Sequence, residues 1–192
     1  MKILLLSDIH DNVWALKAIL QSQQATEADV LICCGDMCSP FIIDLLSAFK
    51  KSIHIVLGNN DCDVAAMVGK LSKYPQIIIH GEYYRDDLAG KTIAVNHYPD
   101  KAQKLAALQS YDIVCYGHDH KIFAGIIGKT LVLNPGAVMG FNAMQLIDVE
   151  SSFMVCNTAT GEVLAYRLTG SSKNAENPDV VLWKEHSFNA RL

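Results

Sequence analysis

Short apolar runs punctuate the chain at Ile3 to Leu6, Val30 to Cys33, Ile53 to Leu57, Thr92 to Val95 and Ile113 to Tyr116. Runs of this length bounded by turn residues predict buried strands. Between the first three, the spacing changes to a helical period. Val13, Leu16, Ile19 and Leu20 share a face within Asn12 to Gln23. Ile42, Ile43, Leu45, Leu46 and Phe49 form a stripe after Ser39-Pro40, whose proline suits a first helical turn. Strand and helix thus alternate over residues 1 to 60, with strands at Lys2 to Ser7, Asp29 to Cys34 and Ile53 to Leu57, which predicts a parallel sheet with helical cover.

After a helix from about Asp63 to Leu71 the strands crowd together: Ile77 to His80, Glu82 to Arg85 and Lys91 to Val95. A helix over about Lys101 to Gln109 precedes strands at Ile113 to Tyr116, Ile122 to Ile127, Thr130 to Leu133, Ser152 to Asn157 and Val163 to Leu168. Ile127-Gly128-Lys129 and Thr160-Gly161-Glu162 read as hairpin turns. A second sheet, mostly of hairpins, is expected to pack on the first. Residues 1 to 170 read as one domain and residues 171 to 192 as a C-terminal tail. The tail opens with a polar loop over residues 171 to 180 and carries Trp183 and Phe188, which can dock on the body or on a partner.

Composition narrows the class. The 192 residues are 51% hydrophobic and 19% charged, a globular balance for one domain. A formal charge of −4 argues against tight generic binding to nucleic acid, though not against a nucleotide. The apolar start Ile3 to Leu6 stops at Ser7-Asp8, too soon for a secretory segment, and no run approaches a membrane span. A soluble cytoplasmic protein with no membrane partner is expected. Free thiols are therefore the default for the six cysteines. Cys33, Cys34, Cys115 and Cys156 lie in apolar runs, and the spacing of Cys34, Cys38 and Cys62 matches no paired zinc pattern.

Each apolar run ends in chemistry: Asp8-Ile9-His10, Gly35-Asp36, Gly58-Asn59-Asn60-Asp61, Asn96-His97 and Gly117-His118-Asp119-His120. In open α/β sheets ligands gather at the carboxyl ends of strands, so these residues converge on one crevice. The one-residue spacing of Asp8 with His10, and of His118 with His120, places each pair on one side if strand alternation continues to the ends. Asp8, His10, Asp36, Asn59, His97, His118 and His120 supply imidazoles, carboxylates and an amide but no thiolate. That donor set suits Mn, Fe, Zn, Co or Ni. It is large enough for two ions sharing a bridging carboxylate. Two divalent ions against two aspartates leave the crevice cationic, which favours an anionic substrate such as a phosphate ester. Two ions about 3.5 to 4 Å apart can clamp a phosphoryl group for in-line displacement.

Several nearby residues have plainer readings. His54, His80 and His186 fall outside the set and read as surface or satisfied core histidines. Asp119 should point away from its neighbours, and Asp11 and Asp63 read as surface carboxylates at helix N-termini. Gly35 and Gly58 let the backbone turn. Tyr83, Tyr84, Tyr98 and Phe141 read first as packing residues, with stacking on a nucleobase as the sharper alternative.

The ordered series Asp8-x-His10, Gly35-Asp36, Gly58-Asn59-x-Asp61, His97 and Gly117-His118-x-His120 resembles the calcineurin-like metallophosphoesterases. The length and Asn134-Pro135-Gly136-Ala137 look most like their small bacterial and archaeal phosphodiesterase branch. The resemblance runs over nearly all of residues 1 to 168 and implies a four-layer α/β/β/α sandwich of two mixed sheets. It implies that Asp8, His10, Asp36 and His120 hold one divalent ion and Asp36, Asn59, His97 and His118 the other, with Asp36 bridging. Manganese comes first, with Ni, Zn, Fe and Co as alternatives. It further implies a metal-bridging hydroxide as nucleophile, Asn12 and Asn60 as phosphate contacts, Asn60 together with Asp36 as catalytic residues, and Asp61 orienting the loop.

The chain departs from the family pattern in three places. Asn60 stands where many members carry a histidine, Tyr98 where glycine is usual, and Ala137-Val138-Met139-Gly140-Phe141-Asn142 where serine and then arginine are frequent. An amide cannot donate a titratable proton near neutral pH, which favours substrates with good leaving groups. The expected activity is metal-dependent hydrolysis of a small phosphodiester or nucleotide. The alternatives are a phosphomonoesterase, or a non-catalytic interaction scaffold like the retromer subunit of the same fold. A homo-oligomer is possible through the tail or a sheet edge.

Overall fold

The computed structural model describes residues 1–169 and 178–187. The chain runs β1 (Lys2–Leu6), α1 (Val13–Gln21), α2 (Gln23–Glu27), β2 (Val30–Cys33), α3 (Phe41–Leu46), β3 (Ser52–Ile55) and α4 (Val64–Lys70), with a 3-10 turn at Leu71–Lys73. It continues through β4 (Ile77–Ile79), β5 (Tyr83–Leu88), β6 (Lys91–Asn96), α5 (Pro99–Ala107), β7 (Ile113–Cys115), β8 (Ile122–Ile127) and β9 (Thr130–Pro135). The last strands are β10 (Phe141–Asn142), β11 (Ile147–Asp148), β12 (Ser151–Asn157), β13 (Glu162–Thr169) and β14 (Asp179–Ser187).

Alternate residues of β1 serve two different cores. Leu4 and Leu6 join Leu31, Cys33, Ile53 and Ile55 against Leu16 and Ile19 of α1 and Ile42 and Leu46 of α3. Ile3 and Leu5 join Val30 and Ile32 against Ile93, Val95, Ile113 and Leu131 of the second sheet. On the far side of that sheet, Ala94, Val114 and Val132 meet Ala102 and Ala106 of α5. Period-2 alternation of a strand covered on both faces therefore yields the expected four layers, α/β/β/α. The helix starts are fixed locally. Asn12 caps α1 by accepting the Ala15 N–H at 3.1 Å, Ser22 caps α2, and Asp63 caps α4.

The first sheet has the order β14-β13-β12-β1-β2-β3-β4 and the second β5-β6-β7-β9-β8. β1 to β4 run parallel, as the strand and helix alternation predicts. The hairpin Ser152 to Leu168, however, does not join the second sheet. β12 pairs antiparallel with β1, Lys2 opposite Asn157, and extends the first sheet instead. The reason is backbone satisfaction: β1 is buried, so its free edge needs a partner for its N–H and C=O groups. The second sheet combines two hairpins, β5–β6 and β8–β9, with parallel pairs β6–β7 and β7–β9. β14, which carries Trp183, pairs antiparallel with β13, beginning at Asp179 and Val180 in the stretch read as a loop. Residues 171 to 177 of that loop, and Phe188, lie outside the described residues. All six cysteines are free. No helix among the described residues is long and apolar enough to cross a membrane.

Candidate metal centre

β1, β2, β3, β6 and β7 all end at one rim, and the loops that follow them meet there. The side chains converge, but not through strand alternation. β1 stops at Leu6 and β7 at Cys115, and the backbone then enters left-handed conformations at Asp8 (φ 51), His10 (φ 43), Asp36 (φ 56), His118 (φ 73) and His120 (φ 58). Asp and His tolerate this region better than most residues. Each such residue still stores roughly 1–3 kcal/mol that packing must offset, and such strain concentrates at functional sites. The expected one-sided pairing of Asp8 with His10 and of His118 with His120 thus arises from tight turns instead of a pleat.

Asp61 holds two of these loops together. Its Oδ2 accepts the N–H groups of Asp36 at 3.0 Å and Gly58 at 2.7 Å, and its Oδ1 those of Met37 at 2.7 Å and Cys38 at 3.0 Å. Asp11, read as a helix-terminal surface carboxylate, instead ties the β1 loop to the β2 loop by accepting from Ser39 N at 2.9 Å and Ser39 Oγ at 2.6 Å. Asp63 does cap its helix. Asp119 is exposed, and its Oδ1 accepts from Asn134 Nδ2 at 2.7 Å. Asn134 thereby braces the turn that carries His118 and His120.

Two carboxylates sit at the bottom, Asp8 fully buried and Asp36 1% exposed. Asp8 Oδ2 accepts the His118 N–H at 3.0 Å, while its Oδ1 lies 3.3 Å from His120 Nε2 and 3.8 Å from His10 Nε2. Asp36 Oδ2 lies 3.5 Å from His10 Nε2 and 3.4 Å from His97 Nε2, between the two halves of the site. Asn59 Oδ1 lies 3.2 Å from His97 Nε2 and 2.9 Å from His118 Nδ1. His97 Nδ1 is 2.8 Å from the Cys34 carbonyl, to which it must donate, so in the neutral ring it is Nε2, on the Asp36 side, that carries the lone pair. Cys38 Sγ lies 3.4 Å from His10 Nδ1, and the Tyr98 ring packs against His97 and His118 at 5.1 and 5.2 Å.

Charge is distributed accordingly. Burial opposes ionisation of Asp8, but His10, His120 and Ser7 together hold it well below the usual carboxylate range. Asp36 is also lowered, since His97 and the Asn60 amides outweigh burial. His97 is raised because Asp36 more than offsets its burial, and His120 is raised by Asp8.

Among the described residues, Ser7 Oγ, Asp8 Oδ1 and His10 Nε2 are buried without a hydrogen-bond partner. Groups of this kind are ordinarily paired, so a carboxylate oxygen and an imidazole nitrogen left facing one another fit a cation between them. The donor atoms of Asp8, His10 and His120 lie within 4.8 Å of one another, as do those of Asp8, Asp36 and His97. Both groups could hold a metal ion, and Asn59 and His118 border the second.

Asn12 and Asn60 turn their amides into the protein. Asn12 Nδ2 donates to the carbonyls of Val138 at 3.2 Å and Met139 at 2.9 Å. Asn60 donates its backbone N–H to Asp36 Oδ1 and its Nδ2 to Asp36 Oδ2, both at 2.8 Å. His54 and His80 lie outside the crevice, stacked with Tyr84 and joined Nδ1 to Nε2 at 3.0 Å. Tyr84 is therefore core. Phe141 instead lines a cavity of about 880 Å³ that begins at His118 and His120. Arg167 and Trp183 also border that cavity, and no local motif in the sequence marks either.

The family model of the calcineurin-like phosphoesterase superfamily domain matches residues 1–160. The phosphodiesterase MJ0936 of Methanocaldococcus jannaschii is 26% identical over 143 residues, 73% of this chain and 86% of the relative. The probable metallophosphoesterase YsnB of Bacillus subtilis is 26% identical over 143 residues, 72% of this chain and 75% of the relative. The structure of an archaeal phosphodiesterase superimposes with a TM-score of 0.78 at 23% identity, covering 88% of this chain and all of that one. Chaetomium thermophilum Vps29 superimposes with a TM-score of 0.70 at 16% identity, covering 98% of each, which is a likeness of fold.

Proposed function

This chain belongs to the calcineurin-like phosphoesterase superfamily, and from that premise we propose that it is a metal-dependent phosphodiesterase acting on a small phosphodiester or nucleotide at a dinuclear centre. The observation that carries the reading is that Asp8 Oδ1 and His10 Nε2, two of three unpartnered buried atoms, sit in a crevice also walled by Asp36, His97, Asn59, His118 and His120. Asp8, His10, Asp36 and His120 would hold one ion, and Asp36, Asn59, His97 and His118 the other. Histidine, carboxylate and amide donors without thiolate favour manganese, nickel, zinc, iron or cobalt, and manganese is our first choice. Ions held there would polarise the phosphoryl group as Lewis acids and lower the pKa of an attacking water.

The protein's own part is positioning. The Cys34 carbonyl fixes the His97 tautomer, and Asn60 orients both oxygens of Asp36. Asp61 and Asp11 bind the loops into one rigid rim. Asn60 offers no titratable proton to a leaving group, which supports diesters whose leaving group departs as a stable anion.

The test is hydrolysis of bis-p-nitrophenyl phosphate and p-nitrophenyl phosphate by metal-stripped protein, with Mn, Ni, Zn, Co or Mg restored in turn and Asp36→Asn as control. Metal-dependent cleavage of the diester that is lost in the variant supports the proposal. Preference for the monoester would make it a phosphatase. Absence of turnover by protein that has bound its ions would replace it with a non-catalytic scaffold.

A further inference from the structure

His118 and His120 also border the cavity of about 880 Å³. A phosphoryl group fills only a small part of such a volume, which lies within the range that holds drug-sized ligands. The near end carries the exposed Lys121 and Asp119, and Ile122, Ala137, Phe141 and Val149 supply an apolar wall. The far end is built by β13 and β14. There the Arg167 guanidinium carbon sits 3.8 Å from the centroid of the Trp183 ring, and Arg167 Nη1 donates to Glu150 Oε2 at 2.7 Å. Lys184 Nζ also lies over that ring, at 4.5 Å. Arg167 and Trp183 follow the residues matched by the family model, whereas Glu150 lies within them.

The far end has a specific chemistry. A guanidinium lying on an indole is a planar platform, and planar rings stack on guanidinium groups. Glu150 places an acceptor beside the Arg167 donors, the complement of a ring edge that carries a carbonyl next to an N–H. A fatty chain would leave this charged pair unused, and a free sugar phosphate would leave the apolar wall unused. A nucleoside uses all three regions. We propose that Arg167, Trp183 and Glu150 form the base-recognition end of a nucleotide subsite, and that the substrate class is a nucleoside phosphodiester whose phosphorus lies at the His118 and His120 end. The inference rests on the phosphodiesterase reading.

Two measurements separate the two ideas. The chain has two tryptophans, so Trp14→Phe leaves Trp183 as the sole indole emitter. In that background, AMP and GMP are expected to quench the emission saturably while inorganic phosphate does not, and Arg167→Ala is expected to weaken nucleotide binding about tenfold, the effect of losing one stacking contact. In kinetics, Arg167→Ala and Glu150→Ala are expected to lower kcat/KM about tenfold for thymidine 5′-p-nitrophenyl phosphate, yet leave methyl p-nitrophenyl phosphate, which has the same leaving group, nearly unchanged. Equal losses on both substrates, or none on the nucleoside ester, would overturn the subsite. Turnover of the methyl ester without nucleotide quenching would also overturn it while leaving the phosphodiesterase intact. Saturable quenching without turnover of either ester would support the nucleotide site and reject the phosphodiesterase.

Discussion

The Asp61 carboxylate accepts the backbone N–H of Asp36 at 3.0 Å, and the same two oxygens take the N–H groups of Met37, Cys38 and Gly58. A residue outside the proposed ligand set thereby sets where the central carboxylate stands. In Asp61→Asn one acceptor becomes an NH₂ group pointed at N–H donors, leaving half-buried backbone groups unpaired. A stability loss of about 1–3 kcal/mol is expected, with a fall in turnover that added metal does not restore. Urea denaturation and a metal titration of activity check it. Full activity at saturating metal would show that Asp61 does not position Asp36.

Asp36 itself touches both halves of the site through one oxygen, near His10 Nε2 and His97 Nε2. Asp36→Asn is expected to reduce diester turnover by more than about a hundredfold and to lower the metal count of both positions together, read by elemental analysis. His54→Ala, away from the crevice, should leave turnover near wild type. Equal activity in the two variants would overturn the bridging role proposed for Asp36.

Gly58 is required by its neighbour and not by its backbone angle. A Cβ there would fall on Asp36 Oδ1 and stand 2.8 Å from Asp36 Cγ. Gly58→Ala is therefore expected to displace the Asp36 carboxylate and remove most of the activity. Gly69 in α4 is the matched control, because a Cβ there meets nothing within 4 Å. Gly69→Ala should keep activity and raise stability by about 0.5–1 kcal/mol, since alanine is the better helix former. Similar activities in the two alanine variants would contradict this account.

Much of the rim was legible because each ligand-type residue follows its own apolar run: β1 before Asp8, β2 before Asp36, β6 before His97 and β7 before His118. Local order sufficed, since parallel β/α units place strand ends on one side. The left-handed turns at Asp8, His10 and His120 were not legible, because hydrophobic periodicity carries no information on φ once the strand has ended. Nor was the pairing of β12 with β1, where Met154 faces Leu5 across a sequence separation no local pattern spans. The contact of Arg167 with Trp183 stayed hidden for the same reason: it depends on the register of β13 against β14. His54 and His80 lie on neighbouring parallel strands or just beyond them, and only the packing of Tyr84 onto both rings makes them a unit.

That unit gives the fold an acid-sensitive seam. Burial lowers the pKa of His54, with Asp86 opposing, and burial and His54 lower that of His80, again against Asp86. Tyr84, which stacks on both rings, donates its hydroxyl to Asp86 at 3.1 Å. Lowered folded-state values mean that the unfolded chain binds more protons than the native one below the ordinary histidine value of 6.5. Stability from this pair is thus complete above that pH and is lost as pH falls through it toward the folded values. His97 and His120 are shifted the other way, so total acid sensitivity mixes opposing contributions. The difference between proteins isolates the seam. Metal-stripped wild type should lose more stability between about pH 7 and pH 5 than the His54→Gln/His80→Gln double variant does. Urea denaturation at each pH measures it. Parallel pH profiles for the two proteins would mean that the stacked pair takes up protons equally in the folded and unfolded states, and would overturn the seam.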